Sequence, residues 1–86
     1  MHTEPRGRRA ADRSRLERAI VLQLLREDRE RRWSRAELGM EVDAEAPALE
    51  EALRRLNGDG VLCLAEEEVW ASPAALRLDE LGLLAV

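Results

Sequence analysis

Phenylalanine, tyrosine and lysine are absent from these 86 residues, and cysteine and histidine occur once each. Each absence removes a class of molecule. Without Phe or Tyr, a core must be assembled from Leu, Val, Ile, Ala and the two Trp, so it should be aliphatic. One Cys excludes an internal disulfide. Because the lone His2 lies near the start of the chain and Cys63 stands alone in a β-prone run, no spacing suits zinc or iron, and no Ser, His and Asp set can be assembled. The expectation is therefore a protein that is not an enzyme and needs no cofactor. No run of apolar residues is long enough to span a bilayer, and the first thirty residues carry Arg but no apolar stretch of signal-peptide length. A cytoplasmic location without membrane contact is expected.

What is present is Leu, fifteen times, and Arg, which supplies all fourteen cations. The net charge of -4 conceals an uneven distribution: residues 1–35 hold eleven Arg against six acids, and residues 36–86 hold three Arg against twelve. A basic arm that seeks phosphate, or an Arg-rich coding bias, would each give this asymmetry. The length suits one small domain with a single core.

Residues 1–13, with Pro5, Gly7 and four Arg, have no apolar period and the composition of a disordered arm. Order is predicted to begin at Ser14, where Ser14 and Glu17 fit a capping box. Leu16, Ile20 and Leu24 then form a stripe that Val21, Leu22 and Leu25 widen beyond one face, so this first helix should be covered on two sides. Residues 26–32 place Glu27 four before Arg31 and Asp28 four before Arg32, the order of helical ion pairs. Trp33 precedes a second capping box, Ser34 with Glu37, opening a short helix to about Val42. A third helix carries Leu49, Ala52, Leu53 and Leu56 on one stripe. It starts either with Pro47 as its first residue or from Asp43 as cap, and residues 57–60 stop it. Two β-prone runs, residues 61–64 and 68–71, suggest a hairpin, with Cys63 packed beneath it and Trp33 meeting Trp70 across a small sheet. Ser72 and Pro73 begin a last helix that Gly82 closes.

The order helix, strand, helix, helix, hairpin, helix, together with residues 48–62, ALEEALRRLNGDGVL, resembles the winged helix-turn-helix domains of MarR-like and related small bacterial transcriptional regulators. The resemblance covers about residues 15–72. It implies a mainly α fold with a small β-hairpin, in which residues 14–86 form one winged-helix domain with a C-terminal helix. It further implies that the third helix enters the major groove of double-stranded DNA while the hairpin touches the backbone. On that reading Arg6, Arg8, Arg9 and Arg13 meet phosphate, and Pro47, Ala48, Glu50, Glu51, Arg54 and Arg55 face the groove. The leading expectation is a DNA-binding transcriptional regulator. The alternative is an acidic interaction module that docks a basic protein surface and never meets DNA, and the features dividing the two are Glu50, Glu51 and the run Glu66, Glu67, Glu68 at the hairpin tip. The apolar surplus of Val21, Leu22 and Leu25, with Leu81, Leu83, Leu84 and Val86, predicts a homodimer.

Overall fold

The computed structural model describes residues 6–26 and 28–83, and for residues 6–11 the backbone alone. It comprises α1 (Arg6–Leu24), β1 (Trp33–Ser34), α2 (Arg35–Glu41), α3 (Ala46–Gly58), β2 (Leu62–Leu64), β3 (Glu68–Ala71) and α4 (Pro73–Glu80). The fold is mainly helical, with one three-stranded antiparallel sheet in the order β1-β3-β2. No described helix is long and apolar enough to cross a membrane.

α1 begins eight residues before the expected cap, so Ser14 lies inside the helix and Arg6 to Arg13 belong to it. The arm expected over residues 1–13 is thus helical from Arg6 onward. Ala10, Ala11 and Arg are strong helix formers, and this propensity outweighs Gly7. Ile20 and Leu24 are buried, while Leu16, Val21 and Leu25 pack against the core from its edge.

The second capping box forms as predicted. Ser34 Oγ accepts from the Glu37 amide at 3.0 Å and Glu37 accepts from the Ser34 amide at 3.2 Å. That backbone donor, with Arg31 nearby, holds the Glu37 carboxyl below its ordinary 4.5. α2 ends where Asp43 adopts φ 55° and the Ala44 amide returns to the Gly39 carbonyl at 3.0 Å, a turn that usually recruits glycine. Gly39 itself is buried against α3, where an added Cβ would stand 3.2 Å from Leu49 Cδ2.

α3 starts between the two expected positions, with Glu45 as a cap that makes no side-chain hydrogen bond and Pro47 in the first turn. Its stripe of Leu49, Ala52, Leu53 and Leu56 is buried as expected. Gly60, at φ 80°, closes it, and the Val61 amide bonds the Leu56 carbonyl at 2.9 Å before the chain enters β2. α4 begins at the Ser72 cap and ends through Gly82, at φ 77°.

Strand register corrects two sequence expectations. Trp33 pairs with Val69, and Cys63 pairs with Trp70. Neighbouring residues of a strand point to opposite faces, so Trp33 and Val69 face the core while Trp70 and Cys63 share the outer face. The two Trp therefore do not meet, and Cys63 is half-buried beside Trp70 rather than packed beneath the hairpin. Each Trp is instead covered by a guanidinium: Arg31 lies 3.8 Å from the Trp33 ring centre and Arg32 lies 4.1 Å from that of Trp70.

A third correction concerns residues 26–32. α1 has ended at Leu24, so helical ion pairs cannot form there. The arginines reach distant elements: Arg29 bonds Asp79 of α4 at 2.8 Å, Arg31 bonds Glu37 of α2 at 3.2 Å and Arg32 lies 3.5 Å from Glu68 of β3. Glu27 lies outside the described residues.

Candidate interaction surface

α3 has its buried stripe on one side, which sets Pro47, Glu51 and Arg54 on the side that faces solvent. On one flank Glu50 is taken by Arg35, the first residue of α2. The Arg35 guanidinium also donates to the Ala65 carbonyl at 2.8 Å, and its backbone amide donates to the Glu67 carbonyl at 3.3 Å. One residue thus ties α2, α3 and the β2–β3 turn together. On the other flank Arg55 donates to Glu17 of α1 and lies 3.5 Å from Glu51. The bonded Glu17 carboxylate, with Glu51 adding to it, pushes the Arg55 guanidinium further above its usual range.

The charges expected to face a DNA groove are therefore largely occupied within the fold. Glu50 and Arg55 are held by partners on neighbouring elements, and Arg54 alone of the α3 cations has no ion-pair partner among the described residues. The hairpin tip is acidic and exposed. Glu68 lies near Arg32, while Glu66 and Glu67 have no cationic partner among the described residues. Glu41 at the end of α2, with Asp43 and Glu45 between α2 and α3, adds to the same sign.

Arg13 of α1 comes together with Ala48, Glu51 and Arg55 of α3 around a cleft of about 480 Å³ between the two helices. Asp12, Asp43 and Glu45 share its rim, so its charge is mixed. Leu84 and Val86, and the side chains of Arg6, Arg8 and Arg9, lie outside the described residues. Val21 and Leu22 are half-buried, Leu25 is packed against the core, and Leu81 and Leu83 are exposed.

Arg35 is the residue that sequence reasoning missed. Its partners lie 15 and 30 positions away, and no local spacing marks it. Among the described residues, no group of three His, Cys, Asp or Glu is placed to hold a metal ion. Comparison of the chain with protein-family models, with curated proteins and with solved structures found no match.

Proposed function

We propose that the chain is a winged-helix domain that acts as a protein-interaction module, with the outer face of α3 and the β2–β3 tip docking a basic protein surface. The element order and the sheet order β1-β3-β2 support the winged-helix assignment. The observation that carries the function is the exposed tip formed by Glu66 and Glu67, beside an α3 whose cation Arg55 is bound within the fold. Affinity for duplex DNA rests mainly on cations that displace the counterions of phosphate, and carboxylates at the two expected contact elements act against it. The same carboxylates would steer an Arg- or Lys-rich surface into register.

One observation favours the other reading, DNA binding. α1 continues as helix through Arg6, Arg8, Arg9 and Arg13, so these residues lie on one ordered element that could meet phosphate.

Fluorescence anisotropy against random-sequence duplex DNA and against an Arg-rich peptide separates the two. At low salt the module should bind the duplex more weakly than about 10⁻⁴ M, the weak end of ordinary non-specific affinity. It should bind the peptide, and the triple change Glu51→Gln, Glu66→Gln, Glu67→Gln should slow that association. Micromolar duplex affinity that weakens when residues 1–13 are deleted would establish the DNA reading instead.

A further inference from the structure

Three of the four large apolar side chains that the described residues expose lie at one end of the molecule: Leu78 at 39%, Leu81 at 53% and Leu83 at 66%. Their exposure comes from the way α4 ends. Gly82 turns the chain back, the Leu83 amide bonds the Leu78 carbonyl at 3.0 Å, and Leu81 is left projecting beside an exposed Leu83. Beside them an apolar cleft of about 590 Å³ runs between α1, the end of α3 and α4, with Val21, Leu22, Leu78 and Leu83 itself in its lining. Three charged residues also line it, of which Glu17 is already bonded to Arg55. Arg18 of α1 and Asp59, the cap of α3, are opposite in sign, and neither has an ion-pair partner among the described residues.

We infer that this cleft is the interface with a second copy of the chain, the projecting Leu81 of each copy entering the cleft of the other about a two-fold axis and meeting the Leu83 that lines it. One surface here offers both a projection and a recess, as an interface that is the same patch on both copies requires. The charges complete the fit: a two-fold operation that exchanges the two walls sets Arg18 of one copy against Asp59 of the other, twice over. A standard interface buries about 800 Å² per partner, roughly an eighth of this chain's 6163 Å² surface, so one end of so small a molecule is large enough. The inference stands apart from the acidic surface of α3, which remains free in such a pair.

Light scattering from about 5 to about 500 μM, spanning the range of weak and moderate self-association, tests it. The wild-type chain should reach twice the chain mass, and Leu81→Asp with Leu83→Asp should remain at the single mass with unchanged circular dichroism. Should that variant unfold, Arg18 and Asp59 carry the test. Arg18→Asp alone and Asp59→Arg alone should each weaken the dimer on the order of tenfold, since each places two like-charged pairs in the interface. The two changes together should restore it. A monomer at every concentration overturns the inference, whether the chain's own last residues or a small ligand then fills the cleft. So does a dimer indifferent to the Leu changes, or a double charge reversal that fails to recover what the single ones lose.

Discussion

Ser72 joins parts of the molecule that strand pairing leaves separate. Its hydroxyl lies 2.7 Å from the Gly60 carbonyl and 2.9 Å from that of Val61, and it accepts from the Ala75 amide at 3.1 Å. Its own amide donates to the Val61 carbonyl at 3.2 Å. The residue is 6% exposed, so water cannot replace these bonds. One side chain therefore caps α4 and fastens it to the turn that leaves α3. Ser72→Ala should cost about 1–3 kcal/mol, because it leaves buried groups without partners as well as removing a cap. In a domain of this size that lowers Tm by roughly 5–15 °C, measurable by thermal unfolding. A change of less than a degree would mean that the bonds contribute nothing net. The cap itself is evident from the Ser-Pro pair, but the two carbonyls behind it are brought to Ser72 only by the hairpin.

At the scale of elements, local chemistry decides what can be foreseen. The Ser34 and Ser72 caps, the α3 stripe and the glycine stops all depend on neighbours within a few positions, and each lies where the sequence places it. The Ser14 capping box fails although its spacing is right, because the preceding residues are themselves good helix formers and a cap needs a non-helical residue. Trp33 and Trp70 escape such local reasoning through register: a one-residue offset, invisible in composition, sends them to opposite faces. The candidate surface is least legible, since its charges are set by partners far along the chain. Arg35 is the clearest case. Replacing it with Ala removes a partly exposed ion pair and a hydrogen bond to the Ala65 carbonyl, together about 1–2 kcal/mol. The loss should fall on the hairpin more than on α3, whose own core stripe survives. Hydrogen exchange should therefore quicken at the Ala65 amide, which bonds the Glu68 carbonyl at 2.9 Å, and change little at Leu53. Equal acceleration at both positions would show that Arg35 supports the whole fold rather than this junction.

On the scale of the whole molecule, the polarised sequence folds its two ends onto each other. Arg29, Arg32 and Arg35 come from the basic stretch, and their partners Asp79, Glu68 and Glu50 come from the acidic one. Arg31 with Glu37 makes a fourth such link, and Glu17 with Arg55 a fifth with the signs reversed. The asymmetry that suggests an arm for phosphate is thus partly spent on internal contacts, which weakens the case for DNA and leaves the tip carboxylates as the prominent uncompensated charge. These pairs join α1, α2, α3, α4 and the sheet, so they act between elements and not along one helix. All are partly exposed, and salt screens them. At about 0.2–1 kcal/mol each, screening the five should lower stability by roughly 1–5 kcal/mol between low salt and about 0.5 M sodium chloride. Screening also relieves self-repulsion from the net charge of -4, but that charge is small and spread over the surface, so the loss of the pairs should prevail. Urea midpoints at the two salt concentrations measure the difference at a fixed protein concentration, which keeps any self-association constant. A midpoint that falls with salt supports charge pairing between the halves as a source of stability. One that rises would mean that repulsion among the carboxylates outweighs the five pairs, and that the fold rests on its aliphatic core alone.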